Sequence, residues 1–170
     1  MTPIILYHSR TGFTQQYATW LSEDLRCPAL PYRERGSIDW SKYDMVLFGS
    51  WFHAGSVMGK KWLKQQLPQW KEKRIILFVT GAAPTGEAQA AAMEQNFTPQ
   101  EWAQLHAFYL PGGLRYERMG TVDRAMMAVY RKMLRVKEGR DSAAYQTICH
   151  SFDMADRAAI QPIVDCCQAL

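Results

Sequence analysis

Three hydroxyl side chains surround a single glycine near the start of the chain, in a pattern that suits a phosphate. Ser9, Thr11 and Thr14 flank Gly12, and they follow directly on the apolar run 4–7. Gly12 lets the backbone approach an anion closely, and the first N–H groups of the helix that follows have no partner within that helix. The stretch lacks the Gly-Lys-Ser/Thr ending of a triphosphate loop and the three glycines of a dinucleotide motif. These residues favour a phosphate monoester, the alternative being a capped helix start.

Two further segments combine aromatic and small residues. The first, 49–55, reads Gly-Ser-Trp-Phe-His-Ala-Gly, and the second, 80–86, reads Thr-Gly-Ala-Ala-Pro-Thr-Gly. Consecutive residues of an extended chain point in opposite directions, so we expect either Trp51 or Phe52 to face a pocket. His53 is either a proton donor in that pocket or a solvated side chain. The small residues of the second segment leave room for a planar ligand.

Apolar runs and helical patterns position these segments. Buried strands are predicted at 4–7, 45–48 and 75–79, with shorter ones near 29–32 and 107–110, and a 3.6-residue apolar period predicts helices over 13–25 and 58–67. This alternation predicts an α/β fold, a doubly wound parallel sheet of five strands with helices on both faces. Ligands of such sheets sit beyond the carboxyl ends of the strands, and all three segments follow strands at that edge.

The chain after the fifth strand, residues 111–150, is predicted to be an insertion. Pro111-Gly112-Gly113 breaks the chain, and apolar residues then recur at helical spacing from Met119 to Leu134. This pattern predicts an extra amphipathic helix that ends at Gly139. A polar connection is expected as far as about 153, and Pro162 predicts a last helix that begins near 157–160.

Composition and charge bound the kind of protein. The 170 residues are 48% hydrophobic, which suits one domain over 1–170, and no apolar run approaches the length of a membrane span. We expect a cytoplasmic protein, because no such run is present and the chain begins with a predicted strand. The four cysteines form no C-x-x-C pair, so we expect reduced thiols and no metal site. Segment 115–140 carries eight Lys or Arg against three Asp or Glu, whereas the whole chain has a net charge of +4. This segment is a solvated face, or it attracts an anionic membrane surface or an acidic substrate; no nucleic-acid motif accompanies it.

A flavin matches the three segments, because it needs a phosphate anchor, flat apolar walls and a backbone group at its reactive nitrogen. The three segments, within residues 3–110, resemble the FMN-contacting loops of the flavodoxin superfamily. The resemblance implies FMN as the cofactor. Phe13 stands where flavodoxins usually have Asn, and Arg10 is either a replacement for that contact or a solvated charge. The candidate cofactor-binding residues are Ser9, Arg10, Thr11, Gly12, Phe13, Thr14, Ser50, Trp51, Phe52, His53, Ala54, Gly55, Thr80, Gly81, Ala82, Ala83 and Gly86.

A second resemblance concerns the insertion. Residues 110–116, Leu-Pro-Gly-Gly-Leu-Arg-Tyr, then 123–127, Asp-Arg-Ala-Met-Met, and a basic Met-rich helix are similar to the flavodoxin-type, menaquinone-dependent protoporphyrinogen oxidases. This similarity implies removal of hydrogen from a porphyrinogen in haem synthesis and delivery of electrons to a membrane quinone. Arg115 and Arg118 are then candidates for holding substrate carboxylates, unless they are solvated. Peripheral contact with the inner face of a membrane through 115–140 is a further expectation.

We therefore expect an FMN-dependent oxidoreductase, with His53 as the one candidate catalytic side chain. A non-enzymatic electron carrier is the first alternative; carriers of the flavodoxin type dock through acidic faces, which the basic segment disfavours. A cofactor-free regulatory domain on the same fold is the second. Receiver domains need an acidic cluster for a metal, and the predicted strand ends at 7–9 and 48–50 carry no acid.

Overall fold

Strands and helices alternate along most of the chain in the computed structural model, which describes residues 1–169. The strands are β1 (Pro3–Tyr7), β2 (Ala29–Pro31), β3 (Met45–His53), β4 (Ser56–Val57), β5 (Arg74–Gly81), β6 (Leu105–Pro111), β7 (Gly113–Leu114) and β8 (Phe152–Asp153). The helices are α1 (Phe13–Leu25), α2 (Lys60–Gln66), α3 (Glu87–Glu94), α4 (Pro99–Trp102), α5 (Thr121–Glu138), α6 (Ala143–Ile148) and α7 (Gln161–Gln168).

Five parallel strands form the sheet, in the order β2-β1-β3-β5-β6. In the middle of the sheet, Leu47 of β3 lies between Ile5 of β1 and Ile76 of β5. The order reverses between β1 and β3, and the crevice above such a reversal is where ligands bind in open α/β sheets. The predicted five-stranded parallel sheet is confirmed.

Strand β3 is longer than the sequence predicts. Its last residues pair with the antiparallel strand β4, Phe52 with Val57 and His53 with Ser56. The turn between them, Ala54–Gly55, has positive φ angles of 47° and 78°. The sequence predicted that segment 49–55 follows a strand ending at 48, and this was wrong: most of the segment is strand, and only its tip is a turn.

Helices cover both faces of the sheet, as predicted. Tyr17 and Leu21 of α1 and Ile163 of α7 are fully buried against one face. Leu63 of α2 and Met93 of α3 are buried against the other. Both faces of the central strands are apolar because side chains alternate across a strand, so every residue of 45–48 is buried.

The insertion contains more regular structure than the sequence predicts. Helix α5 confirms the amphipathic helix, and Gly139, with a φ of 89°, follows its end. The polar connection expected up to 153 instead holds α6, whose start Ser142 caps, and β8, which pairs with β7. These elements are too short to show a clear apolar period. Helix α7 follows a 3-10 turn over Arg157–Ile160, as Pro162 predicted.

Within residues 1–169, every helix is too short or too polar to span a bilayer. The four cysteines are free thiols: Cys27 is buried, and the other three are partly exposed. Burial raises the pKa of Cys27 to about 11 and that of Cys167 to about 12. Both thiols are therefore protonated and unreactive near neutral pH.

Candidate functional site

A cavity of about 510 Å³ lies at the carboxyl ends of β1, β3 and β5. The turn after β1, the ends of β3 and β5 and the segment from β6 to α5 supply its walls. The turn after β1 contributes Ser9, Arg10, Thr11, Phe13 and Thr14, and the end of β3 contributes Trp51, Phe52, His53 and Ala54. The end of β5 contributes Thr80, Gly81 and Ala82. The segment from β6 to α5 contributes Gly112, Gly113, Leu114, Met119, Asp123, Met126, Met127 and Tyr130. The structure therefore brings the three sequence segments together and adds a fourth.

The turn after β1 ends at the start of α1 and suits an anion. Gly12 adopts a φ of 98°, which favours glycine, and no side chain within residues 1–169 caps the helix. The Ser9 hydroxyl is buried and has no hydrogen-bond partner among these residues. Uncapped N–H groups beside an unsatisfied hydroxyl are what a bound phosphate satisfies.

The floor of the cavity is a buried hydroxyl pair. The side-chain oxygens of Thr14 and Thr80 lie 2.9 Å apart, and both hydroxyls reach the carbonyl of Ser50, at 3.2 and 3.3 Å. The Ser50 hydroxyl in turn donates to the carbonyl of Met58. This network joins β3, β5 and α1, so Thr14 and Ser50 hold the site together below its surface.

One side of the cavity is an ion pair. The Arg10 Nε lies 2.5 Å from Asp123 Oδ2, and Asp123 is 9% exposed. Arg10 also lies over the Trp51 ring, with 5.8 Å from Cζ to the ring centroid. The pair links the turn after β1 to the first turn of α5, so it fastens α5 beside the cavity.

The aromatic wall comes from the end of β3. Trp51 and Phe52 both contribute to the lining, although their side chains leave the strand in opposite directions. Trp51 contacts the His53 ring edge-on at 5.4 Å, and its Nε1 is buried without a partner among residues 1–169. Phe52 lies 6.0 Å from the ring of Tyr109. The wall is aromatic, and it carries one N–H donor without a partner among the described residues.

The segment after β5 is held by Tyr109, which sequence reasoning missed. The Tyr109 hydroxyl donates to the Ala83 carbonyl at 2.8 Å and accepts from the Ala83 N–H at 3.1 Å. Burial raises the pKa of Tyr109 to about 12. A β-carbon on Gly81 would lie 2.4 Å from the same hydroxyl, so the close approach requires glycine.

Arg115 and Arg118 lie outside this cavity, in a groove behind the turn after β1. Arg115 donates to Gln16 Oε1 at 2.8 Å, to Asp153 Oδ2 at 2.7 Å and to the Thr11 carbonyl at 3.3 Å. Its guanidinium also stacks on Phe13 at 3.8 Å. Arg115 therefore braces the turn. Burial of Asp153 raises the pKa of its carboxyl group, whereas the contact with Arg115 lowers it, and the net effect is a lowered pKa of Asp153.

Arg118 lies against the same turn with fewer contacts. A β-carbon added to Gly12 would lie 2.6 Å from Nη1 of Arg118. No ion pair of Arg118 occurs among residues 1–169. A guanidinium at the positive end of a helix is unfavourable unless an anion lies nearby.

Five apolar side chains of the insertion line the cavity: Leu114, Met119, Met126, Met127 and Tyr130. The sequence places three of them on an amphipathic helix, but periodicity alone does not show which side faces the ligand. Five sequence candidates lie outside the lining: Gly12, Ser50, Gly55, Ala83 and Gly86. Each belongs to a turn, or to the layer beneath the cavity, that positions residues of the lining.

His8, at the end of β1, is a further residue that the sequence did not single out. Its ring stacks on Tyr32 at 4.8 Å and meets the edge of Trp51 at 6.4 Å. Burial, and then the charges of Arg35 and Arg10, lower the pKa of His8. His8 is therefore neutral near pH 7 and packs behind the aromatic wall.

The strand order and the position of the cavity define a doubly wound α/β domain with a cavity at its switch point. The chain belongs to the flavodoxin domain family, whose model matches residues 4–141. No curated protein matches the chain.

Several solved structures are similar to this chain at low identity. The WrbA-like flavodoxin of Agrobacterium tumefaciens is 16% identical with a TM-score of 0.51, over 85% of this chain and 97% of that one. A flavoprotein of Lactobacillus acidophilus NCFM, in complex with FMN, is 17% identical with a TM-score of 0.46, over 65% and 91%. A flavodoxin from the domain Archaea is 14% identical with a TM-score of 0.44, over 78% and 98%. The Agrobacterium similarity supports the fold alone.

Proposed function

We propose that this protein binds FMN in the cavity and is a flavin-dependent oxidoreductase. The observation that carries the proposal is the chemical contrast between the two ends of the cavity. One end offers uncapped helix N–H groups and an unsatisfied hydroxyl at Ser9, and the other is lined by Trp51, Phe52 and methionines. Membership of the flavodoxin domain family supports the same cofactor. Bound FMN would supply the transfer of hydride or electrons, which no side chain provides.

The residues of the first turn hold the phosphate in this proposal. Ser9 and Thr11 donate hydroxyl hydrogen bonds, and the N–H groups at the start of α1 bind the remaining oxygens. Arg10 and Arg118 add positive charge on either side of the turn. The Thr14 hydroxyl stays in the buried network with Thr80, and contributes by fixing the turn.

The residues at the other end orient the ring and exclude water. Trp51 and Phe52 both supply aromatic surface to the cavity, and the buried N–H of Trp51 is a donor without a partner among residues 1–169. Met126 and Met127 cover the cavity from α5, and methionine adapts to flat ligands of different outline. His53 belongs to the lining and is the candidate proton donor to a bound substrate.

For the reaction we propose removal of hydrogen from a reduced, planar donor, with a quinone as acceptor; a porphyrinogen is the donor that the sequence resemblance suggests. A methionine-lined cover supports an apolar planar substrate, and the basic insertion supports one that carries carboxylates. The test is an oxidation assay with protoporphyrinogen and simpler reduced donors, each with and without a quinone. We expect turnover that requires both bound flavin and quinone; quinone-independent rates equal to those of free FMN would contradict the proposal.

A non-enzymatic electron carrier remains the second candidate, and the same assay separates the two. A carrier would exchange electrons with a protein partner and give no steady turnover of a small donor with quinone. The exposed basic face of α5 disfavours it, because carriers of this type dock through acidic faces. A protein that takes up no flavin would instead be a cofactor-free regulatory domain.

A further inference from the structure

Helix α5 carries nearly all of the exposed large hydrophobic side chains among residues 1–169. Six of the seven lie on it: Val122, Met126, Val129, Tyr130, Met133 and Val136, at 44–79% exposure. The seventh is Met1. A concentration of apolar surface on one element marks an interaction site.

Five of these residues form a continuous stripe. Val122, Met126, Val129, Met133 and Val136 are spaced alternately four and three residues apart, which puts them on one side of the helix. The stripe spans residues 122–136 of the helix, a length of about 21 Å at 1.5 Å per residue. It is separate from the buried side of α5, where Asp123 pairs with Arg10 and Leu134 is 6% exposed.

The charged residues beside the stripe distinguish between two possible partners, a second copy of this chain and an anionic surface. Lys132 lies one helical turn from Val129 and from Val136, and Lys137 lies one turn from Met133. Within α5, these two lysines are the exposed charged residues one turn from the stripe; Asp123, one turn from Met126, is buried and paired with Arg10. A second copy packed along the stripe would bring lysine against lysine, whereas an anionic surface neutralises them.

We infer that the stripe is a docking surface for an anionic lipid bilayer, with α5 lying flat in the interface. An apolar stripe bordered by lysine is the arrangement of interfacial helices, whose lysines reach the headgroups while the apolar side chains enter the acyl region. Arg131 and Arg124 contact Tyr116 on the far side of the helix, and this ties α5 to the domain.

This orientation also places the cavity against the lipid. Met126 and Tyr130 belong both to the exposed apolar side chains of α5 and to the cavity lining. An apolar ligand dissolved in the bilayer would therefore enter beside α5 without crossing water. This last step rests on the proposed function, whereas docking itself does not.

The test is sedimentation of the purified full chain with vesicles of phosphatidylcholine alone, or mixed with phosphatidylglycerol, at low ionic strength. We expect binding to the anionic vesicles only. Val129→Asp with Met133→Asp should abolish it, and Lys132→Glu with Lys137→Glu should weaken it at least about tenfold. The exposed pair Lys61→Glu with Lys71→Glu makes the same charge change elsewhere and should leave binding unchanged.

Absence of wild-type binding, or equal binding by the stripe variants and the control, would overturn the inference. Sedimentation equilibrium adds a further outcome: a dimer that Val129→Asp with Met133→Asp dissociates, without vesicle binding, would assign the stripe to a second copy. The lysine pair keeps the test valid if the aspartate pair fails to fold. Flavin content, measured on the same preparations, reports on the proposed function separately.

Discussion

The sequence makes the hydroxyls of Ser9, Thr11 and Thr14 equal candidates for binding a phosphate, but the structure gives them different surroundings. Ser9 has a buried hydroxyl without a partner, whereas the Thr14 hydroxyl is within hydrogen-bond distance of Thr80 and of the Ser50 carbonyl. The first is available to a ligand, and the second is used by the fold. Variants at the two positions should therefore fail in different ways.

Replacing Ser9 by Ala and Thr11 by Val should lower FMN affinity at least about tenfold, because each hydrogen bond to a charged group contributes about 1.5–3 kcal/mol. Riboflavin, which lacks the phosphate, should bind both proteins equally. Thr14→Val should instead reduce the free energy of unfolding by about 1–3 kcal/mol, since it breaks a buried network. Fluorescence titration and urea unfolding measure the two effects, with the exposed Thr19→Val as the control. Equal losses for FMN and riboflavin would argue against a phosphate at this turn.

Arg118 gives a second prediction at the scale of the residue. Its guanidinium lies against Gly12 at the start of α1, where a cation is unfavourable without an anion. Arg118→Gln should lower FMN affinity by roughly 3- to 30-fold and leave riboflavin affinity unchanged. Arg33→Gln, on a side chain that is 83% exposed, should change neither. An unchanged FMN affinity in Arg118→Gln would place this arginine outside the phosphate site.

At the scale of the element, the Arg10–Asp123 pair predicts how α5 is held over the cavity. Asp123→Asn removes the charge attraction at almost constant shape, so the first turns of α5 should exchange their amide hydrogens faster. Because the Arg10 side chain is 45% exposed, the global loss of stability should stay below about 1 kcal/mol. Hydrogen exchange followed by mass spectrometry measures both, with exposed Asp141→Asn as the control. Unchanged exchange across 119–130 would mean that the pair does not fasten the helix.

The elements also show what the sequence can predict. Continuous apolar runs such as 45–48 and 75–79 identify buried parallel strands, because both faces of the sheet need apolar side chains. The extension of β3 through His53 depends on pairing with β4, a contact that no local pattern encodes. For the same reason, the roles of Tyr109 and Asp123 were not predicted. Each contacts a residue far away in the chain, at Ala83 and Arg10, and only the folded sheet brings them together.

At the scale of the whole molecule, the folded state disfavours protonated His8. Burial, together with Arg35 and Arg10, lowers the pKa of His8, and burial, together with Arg74, lowers that of His106. Below the usual histidine pKa of 6.5 the unfolded chain therefore binds more protons than the folded one. The stability contributed by these neutral histidines is present above that pH and is lost as the pH falls toward their folded pKa values.

Urea unfolding between pH 8 and pH 5 should therefore show a falling free energy of unfolding below about pH 6.5. His8→Gln should make this fall shallower, because it removes one of the two groups. The exposed His150→Gln is the matched control and should keep the wild-type slope. A His8→Gln protein with that same slope would show that His8 does not contribute.

The central claim is that the cavity above the sheet binds FMN. The most direct measurement is the visible absorption spectrum of freshly purified protein, with the released cofactor identified after denaturation and the apoprotein titrated with FMN if it is colourless. We predict a flavin spectrum, or uptake of FMN in preference to riboflavin. Neither bound flavin nor any uptake would contradict the account and would place this chain among cofactor-free domains of the same fold.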